Sequence, residues 1–235
     1  MVKNKNTTKI LFGSIAVVLV LVIVVSVFFI KNYLDTYGQN DVINTKYTTD
    51  LYQLPSNPND YQVSIYEDLA KECNETADLT VTGGLEDIAA LVVKSYIADF
   101  FTWSNKDGSY DIGGLDYVYG PQHLSIQAQA RSYYYNDLDL LIEKYGSDNL
   151  PTVKNITITS SNHTKDLYYY ETSVYDEDSG EYVDGELTYD AYHVIATWEY
   201  ETGDYDTSNL PTEGQFMVVN RDGRLEIAYY HENYY

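Results

Sequence analysis

Residues 105–116 place oxygen-bearing side chains at positions 1, 3, 5, 7 and 12 of a twelve-residue loop: Asn105, Asp107, Ser109, Asp111 and Asp116. Ile112 stands at position 8, and this is the spacing by which a calcium loop surrounds its ion. Two positions speak against that chemistry. Position 6 needs glycine for a sharp turn and is Tyr110, and position 12 is Asp116 where the longer Glu is usual. The stretch therefore reads as a polar, Gly-rich surface loop, and no metal is assigned to it. A second acidic run, Asp176, Glu177, Asp178 and Glu181, has Leu187 in the twelfth place and reads as a solvated hairpin loop.

Other reactive side chains are scattered. His123, His163, His193 and His231 show no paired ligand spacing. Neither Gly-x-Ser-x-Gly, nor His-Glu-x-x-His, nor a phosphate-cradling glycine loop is present. Cys73 stands alone without a nucleophile's setting. No catalytic residue and no cofactor are assigned. Trp103, Tyr134 and Trp198 are the candidate ligand-pocket residues, two indoles and a phenol suited to an apolar cavity beneath a sheet. Core packing is the competing account of all three.

The elements that would position them follow a long apolar run. Residues 10–30 contain no charge and no proline, and Lys31 closes them. Twenty-one residues at about 1.5 Å each span the ~30 Å hydrocarbon core. The run exceeds the apolar region of a signal peptide and ends without a small-x-small site, so an uncleaved transmembrane helix is expected. Lys3, Lys5 and Lys9 precede it with no acid among them, which keeps residues 1–9 in the cytoplasm and places the C-terminal part outside the cell. All 36 acids lie beyond Lys31. Four of the 14 Lys and Arg lie within residues 1–31, leaving ten to balance them, a net of about −26. Such a surface repels phosphate backbones, so no nucleic acid is expected as partner. With one cysteine there is no internal disulfide, and an ordinary core must hold the domain.

Residues 31–80 read as a stalk with a short helix, where Ser64 and Glu67 form a capping-box pattern. Residues 81–235 read as the extracytoplasmic domain. Leu85, Ile88, Ala89, Val92, Tyr96 and Phe100 share one face of a helix over 85–103, with Lys94 and Asp99 set away from it. A second helix is expected over 124–145, with Tyr134, Leu138, Leu141, Ile142 and Tyr145 on its face and Gly146 as its stop. The period then changes to two, with strands expected over 153–160, 166–176, 189–200, 214–220 and 224–231. Tyr192, Val194, Ala196, Trp198 and Tyr200 make the inward face of the third. Leu225, Ile227 and Tyr229 make that of the last.

Helices followed by long antiparallel strands give an α+β class, with helices packed on a curved antiparallel sheet, a half-cone. This order of elements over residues 85–235 resembles the nuclear-transport-factor-2-like fold, also called cystatin-like. The stretch from Ala98, Asp99, Phe100, Phe101, Thr102 and Trp103 through Asp111 to Leu115 also resembles uncharacterised membrane-anchored proteins of Firmicutes. A short tail, one membrane helix, a stalk and such a domain resemble assembly subunits of type IV secretion and conjugation pores. The resemblance implies a membrane-anchored module that binds a protein partner or self-associates. For some members of the fold it implies isomerisation or dehydration in the cone interior, with Asp or His as general base. His193 with Tyr133, Tyr134 or Tyr169, and Asp99, would be the residues for that alternative, a small-molecule-binding domain or enzyme.

Overall fold

A computed structural model of the chain describes residue 26 and residues 43–164, 168–201 and 203–231. Apart from residue 26, the expected membrane segment at 10–30 lies outside the described residues. No helix among the described residues is long and apolar enough to cross a membrane. The fold belongs to the compact unit Thr45–Tyr235.

Asn59 starts the first helix, α1 (Asp60–Glu75). Its side chain accepts from the Gln62 backbone N–H, and the Gln62 side chain accepts from the Asn59 N–H. This capping box lies five residues ahead of the expected Ser64–Glu67 pair, because Asn59 satisfies the free N–H groups of the first turn one turn earlier. Gln62, Ile65, Tyr66, Leu69, Ala70 and Cys73 then recur at three- and four-residue steps and are all buried. Their face packs on α2 (Glu86–Phe100). Glu86 and Asp87 in the first turn of α2 suit its N-terminal dipole. From Ser95 to Phe100 every residue of α2 is buried, since α1, the sheet and the following loop close around that end. Asp99, expected away from the apolar face, is therefore buried.

The single helix expected over 124–145 is two, α3 (His123–Tyr133) and α4 (Leu138–Tyr145). The break serves burial. Tyr135 leaves the helical path to donate its hydroxyl to the Phe100 carbonyl at 2.6 Å and to accept from the Gly113 N–H at 3.2 Å, and Tyr135 is fully buried. Gly146, with positive φ, follows α4 as expected.

Among the described residues five antiparallel strands follow: β1 (Val153–His163), β2 (Tyr168–Asp176), β3 (Glu181–Tyr200), β4 (Glu213–Arg221) and β5 (Arg224–His231). The main sheet runs β1-β3-β4-β5, and β2 pairs with the N-terminal half of β3. The molecule is thus α+β as expected. Its sheet is open and does not curl into the expected half-cone: β1 and β5 are opposite edges, and β3 spends its first half on β2 instead of closing the sheet. β3 begins eight residues earlier than expected, because the turn at 177–180 lets the Gly185-containing stretch pair throughout. Its alternation holds, with Tyr192, Val194, Ala196, Trp198 and Tyr200 all buried against the helices.

The last strand departs from simple alternation. Met217 pairs with Tyr229 and Val218 with Ile227, so Ala228 is an extra residue, a bulge that reverses which side chains face the core. Tyr229, expected inward, is exposed, while Tyr230 stacks on Phe216 with centroids 4.7 Å apart. Beside β5, Val118 forms a parallel bridge to Ile227, and the Tyr119 N–H donates to the Ile227 carbonyl. On the sheet's other face Tyr119, Ala191, Val219 and Ala228 form a small second core.

Candidate functional site

An open groove of about 1460 Å³ lies between α3, the loop 205–212 and β5. The helix break shapes it. With Tyr135 drawn into the core, Tyr134 faces the groove, its ring edge-on to Phe100 at 5.1 Å. Tyr96, Phe100 and Trp103 make the base, and the Ala228 bulge brings both Tyr229 and Tyr230 to the wall. α3 buries only Ala130, so most of that helix forms an exposed wall carrying Ile126, Gln129 and Tyr133.

Of the three expected pocket residues, Trp103 and Tyr134 line this groove and Trp198 does not. Trp198 lies behind Phe101, stacked at 5.0 Å, and donates its indole N–H to the Tyr200 hydroxyl at 3.0 Å. Trp103 is 4 % exposed, stands edge-on to Tyr205, and its indole N–H has no partner among the described residues. The same holds for Oε1 of Glu213, the first residue of β4, which also lines the groove. Nothing in the local sequence marks Glu213. It lines the groove together with the preceding loop, whose Tyr205 packs on Trp103.

The residues considered for acid–base work lie elsewhere. Asp99 receives Lys106 Nζ, the Gly114 N–H at 2.6 Å and the Gln62 amide at 3.5 Å, which clamps the loop 104–117 to α2. His193 projects from the non-core face of β3 and pairs with Gln215 at 3.2 Å. Tyr133 is exposed on α3 and Tyr169 lies in β2, so the proposed set does not converge. The calcium-like loop also disperses its oxygens. Asp111 accepts from the Asp107 N–H, Ser109 bonds Asp139, and Asp116 pairs with Arg224 at 3.0 Å and accepts from the Gln53 N–H. Among the described residues no group of three metal-ligating side chains comes together.

No protein-family model, no curated protein and no solved structure matches the chain.

Two charge clusters have no local motif in the sequence, because strand register and returning loops assemble them. His163 Nε2 meets Asp190 Oδ1, and the Gly83 N–H at 2.9 Å and the Tyr192 hydroxyl at 3.2 Å meet Oδ2. Burial, and then the Asp190 charge, push the Tyr192 phenol well above its ordinary pKa. Glu226, 2 % exposed, takes a bidentate grip from Arg221 at 2.8 and 2.6 Å and accepts from the Gly120 N–H. Arg224 lies 3.3 Å from the same carboxylate and links it to Asp116. Each cluster ties a loop to the sheet, through the backbone N–H of Gly83 or Gly120 as well as through ion pairs. The groove, in contrast, presents aromatic faces and two unpaired polar atoms.

Proposed function

We propose that this chain is a membrane-tethered, extracytoplasmic binding module whose groove takes up a segment of another protein or of a second copy. The groove's size and form carry the reading. About 1460 Å³ exceeds the roughly 300–1,000 Å³ of small-molecule sites, and an open trough suits an extended chain better than an enclosed substrate. Its aromatic lining matches the residue types enriched at protein interfaces. The apolar run at 10–30 with its preceding lysines supports the tether and its direction. The assembly role in a secretion or conjugation apparatus rests on the sequence resemblance alone, since the structure shares with it the α+β class and not the half-cone.

The test places a photo-crosslinking amino acid at Gln129 or Tyr133 on the groove wall, and at Tyr182 on the distant hairpin, in full-length chain in membranes. Adducts of defined mass at the groove positions and none at Tyr182 are expected. Adducts nowhere, or equally at all three positions, would remove the groove as the binding surface. Release of the chain by alkaline carbonate would remove the tether.

A further inference from the structure

Resting on that reading of the groove, we infer that its occupant is a cationic segment, an extended stretch whose Lys or Arg side chains lie across the groove's aromatic faces. Eight aromatic residues line the groove, and among the described lining residues there is no Lys, Arg or His. The charged groups present are Asp137 and Glu213. Both are carboxylates, so the charge that the lining offers an occupant is negative.

The fold keeps its own cations off the site. Arg131, on the groove-forming helix α3, stacks its guanidinium over Tyr110 at 3.6 Å outside the lining, and Lys144 lies over Tyr145 at 4.4 Å. Arg224 over Tyr52 at 5.1 Å repeats the arrangement in another part of the molecule. Tyrosine faces thus already serve as cation platforms in this domain. The net charge of about −26 beyond residue 31 would raise the local concentration of a basic partner and steer it inward.

The experiment uses the full-length chain in a non-ionic detergent and an extended Lys-Ala-Ser repeat peptide as probe, read by tryptophan fluorescence. Its lysine-acetylated and Glu-for-Lys counterparts are the controls. The Lys peptide is expected to bind, with the acetylated form at least roughly tenfold weaker and affinity falling as salt is raised. Diffuse attraction to an acidic surface is separated by two variants of equal charge. D137N/E213Q in the groove should lose roughly tenfold in affinity, whereas E177Q/E181Q on the hairpin should lose little. A photoreactive Lys peptide on the unsubstituted chain, mapped by mass spectrometry, should label residues 122–137 or 205–213, a readout independent of how any variant folds. Equal losses in both variants, equal binding of the acetylated peptide, or labelling elsewhere would overturn the assignment. If the groove still crosslinks to a native partner in that event, only the cationic assignment falls. If it does not, the groove reading falls with it.

Discussion

Lys106 Nζ lies 2.5 Å from Asp99 Oδ1, and the two side chains are only 4 % and 12 % exposed. A lysine seven residues beyond its aspartate reaches back from a loop to the C-terminal turn of a buried helix. With the Gly114 N–H on the other oxygen, the carboxylate holds both ends of that loop. Removing one member of such a pair leaves a charge with too few partners, which costs about 3–5 kcal/mol. Lys106→Met is expected to lose about 3 kcal/mol in urea unfolding, and D99N/K106M to recover part of it, because the charge left unpaired is then gone. A loss under about 1 kcal/mol for Lys106→Met would show the pair to be peripheral.

The same clamp leaves no room at Gly113. A Cβ built there would stand 2.2 Å from the Asp99 carbonyl oxygen, and the obstructing atom is helix backbone that cannot step aside. Gly113→Ala should therefore lower the melting temperature by several degrees or prevent folding, with the cost coming from displacement of the loop. Gly84→Ala is the informative comparison: its Cβ would meet nothing within 4 Å, so its cost comes from positive φ alone, about 1 kcal/mol. Equal melting shifts for the two would contradict the crowding argument.

The sequence and the structure agree where the signal is local and periodic. The face of α2, the inward set of β3 and the turn at Asp222 and Gly223 each follow from residues a few positions apart. Disagreement concentrates where a distant contact overrides the local pattern. The helix over 124–145 breaks for the sake of Tyr135, whose partners Phe100 and Gly113 lie 35 and 22 residues away. Asp99 stands seven residues after Val92 and three after Tyr96, so periodicity puts it on the apolar face; only its charge argues for solvent, and a returning loop supplies the partners that let it stay buried. The groove shares this origin. Trp103 and Tyr134 are identifiable as aromatic candidates, but Glu213 joins them in the groove from a strand more than 75 residues further on.

Alkaline pH should unfold this domain earlier than its acidic composition suggests. Burial holds the Tyr52 and Tyr135 phenols far above their ordinary pKa of 10.0 and pushes the Cys73 thiol from 9.0 up to about 11. A group whose pKa is higher in the folded than in the unfolded chain loses its proton first on unfolding. Stability is therefore intact below pH about 9, and falls as pH rises through 11 and beyond. Melting temperatures between pH 8 and about 11.5 should decline progressively, and Cys73→Ala should flatten the first part of that decline. At pH 8 the same burial predicts slow modification of Cys73 by a disulfide reagent in the native chain and fast modification in urea. A flat melting profile to pH 11 would show these groups to be solvated.

The bulge at Ala228 makes opposite predictions for two adjacent tyrosines. Without it, alternation from Leu225 and Ile227 would bury Tyr229 and expose Tyr230. With it, Tyr229 is 56 % exposed, and Tyr230 stacks on Phe216 with Phe101 at 6.1 Å. Tyr230→Ala should thus cost about 2–4 kcal/mol in urea unfolding, the range for emptying a large aromatic site that is not fully enclosed. Tyr229→Ala should stay within about 0.5 kcal/mol. Gly214 supports the same arrangement, since a Cβ there would come within 2.5 Å of the Tyr230 ring. Gly214→Ala should accordingly weaken the unsubstituted chain and be better tolerated beside Tyr230→Ala, a coupling that a double-mutant cycle measures. If Tyr229→Ala proves the costlier substitution, β5 follows simple alternation, and Tyr229 leaves the groove wall on which the binding argument partly rests.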